Sequence, residues 1–122
     1  MERIFLMTGA LSAFLAVALG AFAAHGLKTR LSPEMLAVFE VGVRYQMYHS
    51  LGLFVVAFML SRWPQGAAAM AGWLFVAGIV VFSGSLYLLS TTGARWLGMI
   101  TPLGGVAFLA GWLLLAWSAW RQ

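Results

Sequence analysis

The 122-residue chain has no cysteine, no aspartate and little charge of either sign. Without cysteine there are no disulfides, thiolate metal sites or thiol nucleophiles, and nothing is implied about redox compartment. Charged residues make up 8% of the chain, several-fold less than a water-soluble domain of this size carries on its surface. Three glutamates stand against seven lysines and arginines, a formal charge of +4. That balance does not point to nucleic acid. No basic run or interleaved aromatic patch lies outside the apolar stretches, and the basic residues flank those stretches as anchors.

What is abundant is apolar, at 63% of residues. About 20 mostly apolar residues cross a hydrocarbon core roughly 30 Å thick. Four stretches, 4–24, 46–61, 67–90 and 96–120, read as long enough and apolar enough to cross it, and only short loops remain between them. The expected fold is all-α: an integral membrane four-helix bundle, one transmembrane domain over 1–122, with an amphipathic interfacial stretch at 33–45 leading into the second span. Arg3, the apolar run and Ala21-Phe22-Ala23 imitate a secretory signal. The positive end is a lone arginine and the apolar run exceeds a signal core, so the segment reads as a retained span.

Residues 25–31 form the expected first loop, with Lys28 and Arg30. Ser32-Pro33-Glu34 then reads as a helix start: Ser32 caps, Pro33 suits the first helical position, and Glu34 favours the positive end of the dipole. Leu36, Phe39, Val43 and Met47 form one stripe; Ala37, Glu40, Arg44 and Tyr48 form another, which places 33–45 at the water–lipid boundary. Glu40 precedes Arg44 in the favourable order for a helical ion pair. One continuous helix from Pro33 to Arg62 would be about 45 Å long, and Gly42 is where a bend is expected. Pro64 stops this helix. Pro102, followed by Gly104 and Gly105, predicts a kink in the fourth span or a regular helix beginning only after it.

Small residues recur at helical spacing in two spans: Gly9, Ala13, Ala16, Gly20 and Ala24 in the first, and Gly104, Ala107 and Gly111 in the fourth. Such stripes let helix backbones approach closely. Packing within the bundle is the first expectation and a homo-oligomer the alternative. Four spans place both termini and the second loop on one face with Arg3, Arg62 and Arg121. Lys28, Arg30, Arg44 and Arg95 lie toward the other. By the positive-inside rule the termini are outside.

Placed by depth, His25, Tyr45, Gln46, Tyr48, His49, Ser83, Ser85, Tyr87 and Thr101 all fall toward the first-loop face, leaving Thr8, Ser12 and Ser118 in the other half. The expectation is a bundle with one apolar half and one polar cup. Tyr45 and His49 share a helical face, as do Ser83 and Tyr87, and Gln46 adjoins His49. Polar groups at such depth must find partners. The simplest reading is interhelical hydrogen bonding that fixes register; a ligand or ion pocket and a proton relay through His49 and Glu40 are the alternatives. His25 reads as interfacial. The two histidines with Glu40 have no recognised metal-ligand spacing, no serine has a base and an orienting acid arranged with it, and no glycine-rich phosphate loop follows a strand. No metal, cofactor or catalytic residue is expected.

GAFAAHGL at 20–27, YQMYHSLGL at 45–53, FSGSLYLL at 82–89 and ITPLGGVAFLAGW at 100–112 resemble the small four-span inner-membrane proteins typified by YgdD, a family without an established reaction. The resemblance covers essentially the whole chain, and its histidine-containing stretches are the most specific part. It implies a bacterial inner membrane and four helices, and it points at Gly20, His25, Gln46, His49, Ser83 and Tyr87. Ala23 departs from the glycine common in that pattern, which adds a methyl at a helix end.

Two function classes follow. One is a non-enzymatic membrane module that binds a lipid, a small ligand or a membrane partner. The other is a transporter or channel component, which would need an oligomer because one four-helix bundle leaves little room for water. A pore also needs a polar line reaching the other half near Gly9 or Phe58, and none is present. An intramembrane enzyme lacks a nucleophile or metal set.

Overall fold

Backbone that meets lipid must close its hydrogen bonds on itself, so apolar stretches of this length form helices. A computed structural model describes residues 1–122. The chain is all-helical: α1 (Glu2–Phe22), α2 (Pro33–Arg62), α3 (Ala68–Gly78), α4 (Gly84–Thr92) and α5 (Thr101–Arg121). A π-turn at Ala23–Leu27 prolongs α1, and another at Ile79–Ser83 joins α3 to α4, so five elements make four rods.

Three of those rods, Glu2–Leu27, Ala68–Thr92 and Arg95–Arg121, are long and apolar enough to cross a membrane by length and composition. Their outward side chains match: Phe14 is 68% exposed and Leu113 73%, an apolar surface that water would not tolerate. α2 is the exception. It is the longest rod, at 30 residues, but Tyr45, Gln46, Tyr48, His49 and Ser50 interrupt its middle.

The ends follow local chemistry. Ser32 Oγ accepts from the Met35 N–H at 3.2 Å, and Pro33 sits in the first turn. Gly93, at φ 75°, closes α4 in the left-handed region that favours glycine. Several expectations need correction. His25 is not in a loop, because the π-turn carries the first rod on to Leu27. The stretch 33–45 and the second span are one continuous helix, Pro33–Arg62, as the sequence leads one to expect. That helix passes through Gly42 without a break, and Gly42 is there for close approach: a Cβ would meet the Tyr87 ring at 2.8 Å. The regular part of the last rod starts at Thr101, not 96, since Arg95–Met99 is a 3-10 turn and Pro102 occupies the first turn of α5.

Both small-residue stripes face inward except at the end of the first, where Ala24 is exposed and Ala23 is the buried residue instead. A Cβ on Gly9 would stand 2.9 Å from the Ser50 carbonyl oxygen and 3.2 Å from Leu53 Cβ; Ala16 is fully buried, and Gly20 faces Val43. Gly104 lies against the backbone of Phe82, and Gly111 against the Phe75 ring. α1 therefore packs on α2, and α5 packs on α3 and its π-turn, while α2 and α5 scarcely meet. Ala13 and Ala107 are only half-buried on the same stripes.

The apolar core is divided. A larger cluster around Phe5, Leu53, Val56, Phe75 and Phe108 fills the half near the termini. A smaller one, of Ala23, Leu27 and Phe39, fills the half near the first loop. Between them along α2 lie Gln46, His49 and Ser50.

Candidate functional site

α2 presents its polar residues on two sides. Toward α1, Gln46 Nε2 donates to the Ser12 carbonyl at 2.9 Å and lies 3.4 Å from Ser12 Oγ. Ser50 Oγ is 2.7 Å from Ser12 Oγ and donates to the Gln46 carbonyl at 2.7 Å. Tyr87, reaching down from α4, donates its hydroxyl to Gln46 Oε1. One turn back, Ser83 Oγ donates to the Gly42 carbonyl at 2.7 Å. Both ends of the Gln46 amide are thereby used.

Toward α5 there is one interhelical bond. Trp112 Nε1–H donates to His49 Nε2 at 3.0 Å, and His49 Nδ1 lies 2.7 Å from the Tyr45 carbonyl oxygen. The indole can only donate and the carbonyl can only accept, so the imidazole is the neutral Nδ1–H tautomer. Its ring stacks on Phe108 at 3.5 Å between centroids and 9° between planes, with Phe75 edge-on at 5.2 Å. A second proton on Nε2 would face the Trp112 N–H donor. A relay through His49 would therefore have to break this bond first, and Glu40 lies exposed away from it.

Because α5 leans on α3 and away from α2, a groove of about 590 Å³ opens between α2 and α5. Its walls are Tyr45 and Tyr48 on one side, and Pro102, Val106, Leu109 and Trp112 on the other; Phe82 and Phe108 lie against it. The rings of Tyr45 and Tyr48 meet edge to face at 5.5 Å, and Tyr45 packs on Phe82 at 4.8 Å. The two tyrosines are 38% and 52% exposed, and neither phenol hydroxyl has a partner within the chain. On the α1 side a smaller crevice, about 300 Å³, has Ser12 and Gln46 as its floor, and both are already bonded to each other. No buried side-chain nitrogen or oxygen lacks a partner, and no group of three metal-capable side chains gathers anywhere.

The profile of the family described as "Protein of unknown function (DUF423)" matches residues 19–105. The chain belongs to the DUF423 family. It is 52% identical over 118 residues to the UPF0382 membrane protein YwdK of Bacillus subtilis, covering 96% of each chain. It is 46% identical over 119 residues to the UPF0382 membrane protein SH2409 of Staphylococcus haemolyticus, covering 98% of this chain and 97% of that one. It is 50% identical over 113 residues to a UPF0382 membrane protein of Staphylococcus epidermidis, covering 93% of this chain and 92% of that one. No solved structure matches. This DUF423 chain is thus a small membrane protein of unestablished activity.

The single one-sided cup does not form. Gln46 and His49 adjoin on the surface of α2, three residues apart, but bond to opposite neighbours. Ser12, assigned to the dry half, is the partner of Gln46. Ser85 and Thr101 bond to each other, yet Thr101 lies eleven residues before Trp112, about 16 Å away along α5. The polar residues form a layer in the middle of the bundle and a separate pair at the start of α5. His25, Glu40 and Arg44 are exposed and outside both. Tyr45, Gln46, His49, Ser83 and Tyr87 belong to the layer. Sequence reasoning missed Ser12, Ser50 and Trp112 as partners. Ser50 had a visible signal, four residues after Gln46; a tryptophan in an apolar helix had none.

Proposed function

We propose that the protein is a non-enzymatic four-span module of the bacterial inner (plasma) membrane, of the YgdD kind, in one domain over 1–122. Its groove between α2 and α5 holds a membrane-soluble molecule with an apolar body and a hydrogen-bond-accepting group. The observation that carries this reading is the pair Tyr45 and Tyr48. Ser12 of α1 lies opposite Gln46 and Ser50, so the two tyrosines stand at mid-depth, where lipid tails offer a phenol no acceptor. Every buried polar side chain nearby is already paired; these two hydroxyls alone are left for a ligand. The apolar walls suit a lipid chain, and the flanking aromatic rings suit a flat head.

The apolar cluster around Phe5 and Leu53 closes the half near the termini, which weighs against transport by one copy. A transporter or channel would need an oligomer of this chain. Nucleic acid and cofactors have no place in the reading, and the positive-inside rule puts the termini outside.

An alkyl-substituted benzophenone tests the groove, because its ketone accepts a hydrogen bond and also photolabels its neighbours. Labelling is expected on residues 45–49 and 102–112. In Tyr45→Phe/Tyr48→Phe it should need about tenfold more probe, the equivalent of one hydrogen bond in apolar surroundings. Equal labelling of wild type and the double variant, or labelling spread evenly over the outer face of α1, overturns the reading.

A further inference from the structure

The face that carries the termini holds a second cavity, unrelated to the groove. About 430 Å³ in volume, it lies between the loop after α2 and the last turns of α5. Arg62 enters from one side and Arg121 from the other, with Trp63 and Trp117 beside them and Gln122 at the end. The Arg121 guanidinium is already placed, 4.7 Å from the centre of the Trp117 ring, which fixes its plane and leaves its N–H edge free. No acidic side chain lines this cavity. Glu2 lies across Pro64, in a separate shallow pocket with Met1 and Ser61. Gly66 forms the bottom: a Cβ there would come within 3.2 Å of Ser118 Oγ, so the loop and α5 close around a side-chain-free floor. The first turn of α3 adjoins it, and its N-cap, Ala67, offers no side chain to the leading N–H groups.

We propose that this cavity binds the phosphate of an anionic phospholipid. Two guanidiniums and an uncapped helix start match a phosphate in charge and in hydrogen-bond donors. The tryptophans identify the source: they belong at headgroup level, where a phosphodiester sits with its chains running down the outer face of the bundle. A free anion from water would have no use for that apolar flank.

The test is native mass spectrometry of the detergent-released protein titrated with phosphatidylglycerol, with phosphatidylcholine of the same chains as the neutral arm. Wild type is expected to retain one phosphatidylglycerol at least about tenfold more tightly than phosphatidylcholine. That preference should be lost in Arg62→Gln/Arg121→Gln and kept in Lys28→Gln/Arg30→Gln, which removes the same charge from the opposite face. Tyr45→Phe/Tyr48→Phe should also keep it, so failure here and failure of the groove are separate results. Equal retention of the two lipids by wild type overturns the proposal without any variant. So does equal loss in both charge variants, or displacement by inorganic phosphate at the concentration at which the lipid binds.

Discussion

α2 has two flanks, built on different terms. On the α1 flank the backbones nearly touch at Gly9, and four side chains, Ser12, Gln46, Ser50 and Tyr87, close a set of hydrogen bonds. On the α5 flank the helices stand apart, joined by the His49–Trp112 bond across an aromatic stack. Small residues decide which is which. Gly9, Ala16 and Gly20 face α2, whereas the glycines of α5 at 104 and 111 face Phe82 and Phe75 instead. A helix spends its close approach on one neighbour, and the side turned away becomes the groove.

The largest expected effect tests the seam. Gly9→Val puts branched carbons where even a Cβ stands 2.9 Å from the Ser50 oxygen. It should cost about 3 kcal/mol in an SDS-titration unfolding assay, the upper end for overpacking. Gly105→Ala, in the groove wall, finds its nearest neighbour at 3.9 Å and should change stability by less than about 0.5 kcal/mol. Similar losses for the two would erase the difference between the flanks.

Next in size is Gln46→Leu. It keeps the volume but leaves the Tyr87 hydroxyl and the Ser12 carbonyl without their partner, and should cost about 2 kcal/mol in the same assay. A stability equal to wild type would mean that the α1 flank holds by shape alone. Smallest is His49→Phe, which preserves the stack on Phe108 and orphans the Trp112 indole N–H. A loss of about 1 kcal/mol is expected, with a shift in tryptophan emission. A larger loss than that of Gln46→Leu would invert the ranking of the two flanks.

Much of this architecture was legible in the residues. The Ser32-Pro33 start, the unbroken run to Arg62 and the inward glycine stripes depend on neighbours three or four positions apart, and helical geometry alone brings those together. The polar layer was less so. Gln46 and His49 are adjacent on a helical wheel, and only the positions of α1 and α5 reveal that they diverge. Depth counted from a first span ending at Ala24 puts Ser12 in the other half, and the π-turn at Ala23–Leu27 carries that rod on to Leu27. The groove was invisible for another reason: it arises from helices that fail to touch, and no local pattern records a gap between chain segments some sixty residues apart.

The partnership of Ser12 with Gln46 bears on how the chain enters the bilayer during synthesis. α2 is the rod least fit to partition into lipid by itself, and its amide would be stranded there. The hydroxyl and carbonyl that receive it lie 34 residues earlier, already threaded through when α2 emerges. Tyr87 and Trp112, made later, then complete what remains. On the four-span reading proposed above, the first helix would escort the second across, and a chain translated with that order reversed would deliver its most reluctant segment with nothing waiting to meet it.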